Sequence, residues 1–169
     1  MVIDFGLPHD PEQVLSMKKA IQRLKDEHKA LRVELEVVQA KGKEMIACLH
    51  SAESARLLEE IREHMTVFVK HLEDHENWEE QELFPLFYNF LSKNMDSAIF
   101  ISRWVLEEDH KQAERFVRAF LEASEGRSMI EITSLFQISC SVLAEHLTSE
   151  EDMFFPVVEQ ILNHGTIYQ

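Results

Sequence analysis

Residues 75–85 read HENWEEQELFP, and residues 146–156 read HLTSEEDMFFP. Both stretches follow the pattern H-x-x-x-E-E-x-x-(L/F)-F-P, and two copies in a chain of 169 residues indicate an internal duplication. A histidine and a carboxylate four residues apart lie on one face of a helix. The closing proline lacks a backbone donor and clashes with the carbonyl four residues earlier, which predicts a kink or break. Each copy therefore predicts a helix that presents one imidazole and one carboxylate to the same side.

Apolar residues recur at alternating steps of three and four along four segments, as in amphipathic helices. The predicted helices cover about 11–50, 54–91, 97–124 and 129–164, with residues 1–10 as an N-terminal arm. Long helices joined by short turns favour an antiparallel up-down-up-down four-helix bundle. Because no strand pattern or low-complexity linker occurs, we expect one all-α domain over residues 1–169.

Local signals refine the helix ends. Ser51 or Ser54 is the candidate cap of the second helix, and Ser128 with Glu131 predicts a capping box at the start of the fourth. Gly42 is expected to loosen the first helix before its end. These signals support the same division into four helices.

The charge of the chain argues against several classes of protein. It has 31 acidic and 17 basic residues, a net charge of -14, so we expect no binding to nucleic acid or to anionic membrane surfaces. Residues 1–10 contain no Lys or Arg and do not resemble a signal peptide, and no apolar run is long enough to span a bilayer. Cys48 and Cys140 predict no disulfide framework. These features favour a cytoplasmic protein.

Each predicted helix carries one histidine in its apolar seam. Counted from the predicted turns, the four histidines lie within about 4.5 Å of one level, at about 1.5 Å of rise per residue. The odd helices are duplicated too, since LKDEHK at 24–29 resembles LEEDHK at 106–111. The sequence therefore predicts one layer that contains His28, His75, His110 and His146.

Glu79 and Glu150 join this layer. One interpretation is a set of core histidines satisfied by hydrogen bonds. Against it, two buried carboxylates without cations would each cost several kcal/mol. Metal ions would remove that cost and bind the imidazoles, so we predict a metal site. Nitrogen and oxygen donors without thiolate suit iron or manganese, and zinc as well.

Four further carboxylates lie near the predicted layer. Glu114 shares the face of His110 and is a candidate ligand, or otherwise a carboxylate at the rim. Glu76 is also a candidate ligand, although we expect it to face solvent. Glu80 and Glu151 are expected to point outward or to hydrogen-bond the ligand imidazoles.

Other side chains are expected to surround the site. His71, one turn before His75, is a candidate for an access path or a proton relay. Apolar side chains that could wall the site, or simply fill the core, are Leu31, Phe68, Leu72, Trp78, Leu106 and Leu143.

One histidine from each helix, with the duplicated pattern on the second and fourth helices, resembles the hemerythrin-like HHE cation-binding domain. The resemblance covers nearly the whole chain. It implies a non-haem di-iron centre inside a four-helix bundle. In such a centre one iron would be held by His28 and His75, the other by His110 and His146, and both would be bridged by Glu79 and Glu150.

The chain also departs from the oxygen-carrying hemerythrins. Glu114 stands where the carriers have a second histidine on the third helix, and Glu150 lies one residue closer to His146 than their aspartate does. The four-histidine, two-glutamate set is similar to that of the repair-of-iron-centres proteins, which respond to nitric oxide and oxidative stress. Glu76 resembles an additional carboxylate ligand in the hemerythrin domain of an F-box iron-sensing protein.

Two kinds of function fit this resemblance. The first is a protein that binds or senses oxygen, nitric oxide or iron at a di-iron centre. The second is a redox or stress-response enzyme that acts on peroxide or nitric oxide, or that repairs damaged iron centres. In both cases the expected partner is a small diatomic ligand or peroxide.

Overall fold

The computed structural model describes residues 11–91, 98–123 and 127–164. The predicted N-terminal arm at 1–10 and the turn at 92–96 lie outside the described residues. Helical structure occupies almost all of the described chain, and the helix bounds are α1 Pro11–Ala47, α2 Ala52–Trp78, a π-helical segment Glu79–Leu83, α3 Phe84–Leu91, α4 Ala98–Leu121 and α5 Met129–His164.

The helices form a bundle of four long units, because α2, the π-helical segment and α3 follow one another without a break. α1 packs against α2 and α5, and α4 packs against α5 and α2, so that the four units close into a ring. Only residues 48–51 join α1 to α2, which makes these two helices antiparallel. The predicted all-α four-helix bundle is confirmed.

The core consists of two apolar clusters. The larger one contains Leu31 and Leu72, and the smaller one contains Leu24 and Trp78. Along α1, His28 lies between Leu24 of the smaller cluster and Leu31 of the larger one. The histidine layer lies where the two apolar clusters meet.

Pro85 changes the form of the second long helix. We expected a kink or break there, and the structure has the π-helical segment Glu79–Leu83, which ends two residues before the proline. The backbone N–H of Phe84 donates to the carbonyl of Glu79, five residues earlier. This wider turn accommodates the missing donor of the proline without ending the helix. At Pro156, α5 remains α-helical throughout its described span Met129–His164.

Gly42 does not loosen α1, contrary to our expectation. It is buried, and the helix continues through it to Ala47. A Cβ atom at this position would lie 2.0 Å from Cε1 of Phe136. The glycine is therefore a site of close packing between α1 and α5, and sequence periodicity alone does not reveal such a contact.

The two predicted helix caps differ in outcome. The capping box is confirmed, because the Ser128 backbone N–H donates to Glu131 Oε2 over 2.8 Å and the Glu131 backbone N–H donates to Ser128 Oγ over 3.3 Å. Ser51 occupies the N-cap of α2, but its side chain makes no capping bond within the described chain. Its hydroxyl instead donates to the carbonyl of Cys48 over 2.9 Å.

Both cysteines are free. Burial raises the pKa of the Cys140 thiol to about 12, so that it behaves as a small apolar side chain. Among the described helices, none is both long and apolar enough to cross a membrane.

Candidate metal centre

The predicted site residues form two adjacent groups. Within each group, one donor atom from every member lies within 4.8 Å of those of the others. The first donor group contains His28, His75, Glu79 and Glu150. The second donor group contains Glu76, His110 and His146.

All six principal candidates from the sequence are buried, and none is more than 5% exposed. Each long helical unit supplies one of the histidines, as the count from the turns predicted. The ring centroids of His28 and His75 lie 5.0 Å apart, and those of His110 and His146 also lie 5.0 Å apart. The duplication therefore appears in the structure as two similar pairs of imidazoles.

Glu79 faces both pairs. Its Oε1 lies 3.3 Å from Nε2 of His75, and its Oε2 lies 3.6 Å from Nε2 of His110. The two oxygens thus point to histidines of different pairs. This is the position that a bridging carboxylate requires.

Glu150 faces both pairs in the same way. Its Oε2 lies 3.0 Å from Nε2 of His28, whereas its Oε1 lies 3.2 Å from Nε2 of His110 and 3.9 Å from Nε2 of His146. Each of the two carboxylates therefore offers one oxygen to each pair of imidazoles.

Several of these donor atoms are buried and make no hydrogen bond within the described chain. An unsatisfied buried polar atom costs about 1–3 kcal/mol, so a concentration of them requires an explanation. Cations would satisfy all of them, since neutral imidazole nitrogens and carboxylate oxygens are metal donors. The atoms are His28 Nε2, His75 Nε2, His146 Nε2, Glu76 Oε1, Glu79 Oε2 and Glu150 Oε2.

The two central carboxylates have different proton affinities. Burial and the charge of Glu150 raise the pKa of Glu79 well above its ordinary value. Burial opposes ionisation of Glu150 as well, but electrostatic attraction to His146 and His28 and a hydrogen bond from His110 Nε2 outweigh it and lower the Glu150 pKa. Without cations, the pair therefore favours one protonated and one ionised carboxyl group.

Burial also acts on the imidazoles. It lowers the pKa of His146 to about 4 and lowers that of His75, so these rings favour the neutral form that can bind a metal. At His110 burial has the same tendency, but a hydrogen bond to Glu150 and nearby carboxylates raise the pKa.

Glu76, which we expected to face solvent, instead belongs to the second donor group. Its Oε1 lies 3.9 Å from Nε2 of His146, and its side chain is only 16% exposed. Burial raises the Glu76 pKa to about 7. The expectation was wrong because Glu76, next to His75 and three residues before Glu79, projects between two helices.

Glu114, the other candidate, lies outside both groups. Its side chain is half exposed and pairs with Arg118 on the same helix. It lines a cavity of about 220 Å³ together with Glu76 and Glu80. In this geometry Glu114 is a rim carboxylate.

The remaining predicted residues surround the two groups. His71 is paired with Glu34 over 2.9 Å and lines a second cavity of about 220 Å³ that reaches His75. The ring of Phe155, which sequence reasoning missed, lies 5.2 Å from that of His28. The predicted wall residues Leu31, Phe68, Leu72, Trp78 and Leu143 are buried, whereas the side chain of Leu106 lies outside the described set.

A comparison with protein families matches residues 19–158 to the hemerythrin HHE cation binding domain. The chain belongs to the hemerythrin HHE family. No curated protein and no solved structure gives a significant match. In this hemerythrin-family chain, the two buried His/Glu groups indicate a binuclear metal site.

Proposed function

We propose that this protein is a non-haem di-iron protein that binds or senses oxygen, nitric oxide or iron itself at a carboxylate-bridged centre. The observation that carries the proposal is the placement of Glu79 and Glu150, each with one oxygen toward each histidine pair. Two carboxylates so placed can bridge two ions.

The donor set supports a specific assignment. His28 and His75 would hold one metal, and His110 and His146 would hold the other with Glu76 as an additional ligand. Nitrogen and oxygen donors without thiolate suit iron, and they also suit manganese or zinc. When bound, a pair of iron ions supplies a redox-active centre that can take a small ligand.

The surroundings favour small ligands on the side of the first donor group. Apart from Glu79 and Glu150, which face both histidine pairs, the first donor group contains two histidines, whereas the second contains two histidines and Glu76. The first metal would therefore have one protein donor fewer. The aromatic rings of Phe155 and Trp78 flank His28 and His75. Such apolar side chains exclude water from the first donor group and offer no polar contacts to a large substrate.

A redox or stress-response enzyme is the second candidate. The cavity lined by Glu76, Glu80 and Glu114 supports it, since it joins the second donor group to the surface. Carboxylates in such a cavity can pass protons to and from bound peroxide or nitric oxide. The same path could serve exchange of iron during repair of damaged iron centres.

The proposal includes a cytoplasmic protein that binds neither nucleic acid nor membranes. The net charge of -14 supports it, because nucleic acids and most membrane surfaces are also anionic. The two free cysteines support a reducing compartment.

Optical spectroscopy of the iron-loaded protein tests the proposal. Metal-free protein is loaded with ferrous iron without oxygen and is then exposed to oxygen, to nitric oxide or to peroxide. A new absorption band that disappears when the gas is removed is expected for a binding or sensing protein. Continuous consumption of peroxide or nitric oxide would favour the enzyme instead. Spectra that none of the three reagents changes would contradict the enzyme and the binding of gases, and of the proposed functions only the sensing of iron would be left.

A further inference from the structure

A carboxylate lies behind three of the four histidines, on the ring nitrogen that faces away from the donor groups. His75 Nδ1 lies 2.8 Å from Glu27 Oε2, and His28 Nδ1 lies 3.2 Å from Glu151 Oε1. The contact of His110 Nδ1 with Glu80 is longer, at 3.4 Å. These contacts assign Nδ1 as the donor and leave Nε2 for a metal.

The contacts follow the duplication of the chain. Glu80 and Glu151 are the second glutamates of the two H-x-x-x-E-E motifs, and each reaches the histidine of a neighbouring helix. Glu27 precedes His28 and reaches the histidine of the next helix, so its counterpart Asp109 should reach His146.

That fourth contact is missing. His146 Nδ1 is buried and has no hydrogen-bond partner among the residues that the structure describes. The side chain of Asp109 is one methylene group shorter than that of Glu27. The shorter side chain of Asp109 accounts for the absence at His146 of the contact that Glu27 makes with His75.

Arginines support the two carboxylates that lie behind the first histidine pair, His28 and His75. Arg23 Nε donates to Glu27 over 2.6 Å, and Arg32 donates to both oxygens of Glu151 over 2.8 Å. Such charge-assisted hydrogen bonds hold the carboxylates in place.

The carboxylate behind His110 has no arginine at the position that corresponds to Arg32. Arg32 lies four residues after His28, and the residue four after His110 is Glu114. Glu114 lines the same cavity as Glu80. A negative charge there cannot hold Glu80 as Arg32 holds Glu151, which agrees with the longer Glu80 contact and with its 44% exposed side chain.

We propose that Glu27 and Glu151 are positioning residues that fix His75 and His28, and that the second histidine pair lacks equivalent support. This inference rests on the proposed di-metal function. Its consequence is that the two metal positions are unequal. Loss of a carboxylate behind a ligand imidazole typically weakens metal binding about 10–100-fold. Glu27→Gln should therefore lower the affinity for one of the two metal ions by that factor.

NMR of the zinc-loaded protein with ¹⁵N-labelled histidine tests the proposal. Zinc is diamagnetic, and the Nδ1 proton of each imidazole reports its own hydrogen bond. We expect strong downfield shifts for His75 and His28, a smaller shift for His110 and the smallest for His146. Glu27→Gln should move only the His75 signal. In a chelator competition it should lower the affinity for one of the two zinc ions.

Three variants separate positioning from a general structural effect. Glu34→Gln removes the carboxylate paired with His71, outside both donor groups, and should leave all four signals and both affinities unchanged. Glu27→Asp should lose the His75 shift as Glu27→Gln does, because its side chain is as short as that of Asp109. Asp109→Glu should move the His146 signal downfield.

The proposal is overturned if Glu27→Gln leaves the His75 signal in place or moves all four signals equally. Fewer than two zinc ions per wild-type chain would instead contradict the di-metal function. In that case the metal-free protein decides the present proposal, because the His75–Glu27 contact exists without metal. Glu27→Gln must then still change the His75 Nδ1 signal selectively.

Discussion

The carboxylate of Glu76 affects folding and metal binding in opposite directions. Burial raises its folded-state pKa from 4.5 to about 7. Below pH 4.5 the group is protonated in the folded and unfolded states, so it carries no penalty. Between pH 4.5 and about 7 the unfolded state ionises while the folded state keeps the proton, so the folded metal-free protein loses up to about 3 kcal/mol relative to a neutral side chain, at about 1.4 kcal/mol per pKa unit.

Glu76→Gln should therefore stabilise the metal-free protein at pH 8, and this advantage should disappear at pH 4.5 or below. In the metal-loaded protein the same variant should be less stable than the wild type, since it removes a carboxylate donor of the second donor group. Urea unfolding at both pH values, with and without metal, checks this. Equal stability of variant and wild type at pH 8 without metal would contradict the assigned burial.

The main site residues could be predicted because their geometry follows from helix periodicity. His75 and Glu79, or His146 and Glu150, must share a face at a spacing of four residues. Glu76 could not be predicted this way, since a residue next to a ligand faces either a neighbouring helix or solvent, depending on the rotation of the helix. The carboxylates behind the imidazoles depend on side-chain length as well, and periodicity does not specify it.

Gly42 belongs to the contact between α1 and α5. Alanine usually stabilises a helix interior by roughly 1 kcal/mol relative to glycine. Here the new Cβ would lie 2.0 Å from the buried Phe136 ring, and such overpacking costs about 1–3 kcal/mol. We therefore expect Gly42→Ala to lower the free energy of unfolding, measured by chemical denaturation.

The variant Phe136→Leu provides a second background in which the destabilisation by Gly42→Ala should disappear. Phe136→Leu removes Cε1 and Cζ, the two ring atoms nearest the new Cβ. In that background Gly42→Ala should be neutral or stabilising. Destabilisation of the same size in both backgrounds would show that the contact with Phe136 is not the cause.

The start of α5 depends on the capping box. Ser128→Ala removes the acceptor for the Glu131 backbone N–H and should cost about 1 kcal/mol. Ser51→Ala is the matched control, because the Ser51 side chain makes no capping bond in the described structure. It should cost less than about 0.5 kcal/mol. Thermal unfolding of both variants checks this, and equal losses would contradict the difference between the caps.

The second long helix shows where prediction from sequence ends at this scale. Pro85 predicts that regular α-helix is interrupted, because it lacks a donor and clashes with the preceding turn. A kink and a π-helical turn both relieve this conflict. Tertiary packing decides between a kink and a π-helical turn. Here the helix continues beyond the π-helical turn, and the buried side chains of Phe84 and Phe87 contact the ring of Phe154.

At the scale of the whole molecule, the bundle could be predicted because four apolar seams and three short connections leave few arrangements. Pairwise packing of α1, α2, α4 and α5 places the histidines of all four long units in one layer. The asymmetry of the centre could not be predicted, since it arises from small differences between similar halves, such as Glu27 against Asp109.

The central claim is that this layer holds two metal ions. Metal content per chain after ferrous iron loading and removal of free iron measures it directly. We expect two ions for the wild type and for Glu34→Ala, and close to none for the double variant Glu79→Ala with Glu150→Ala. Far fewer than two ions in the wild type, or an unchanged content in the double variant, would contradict the account.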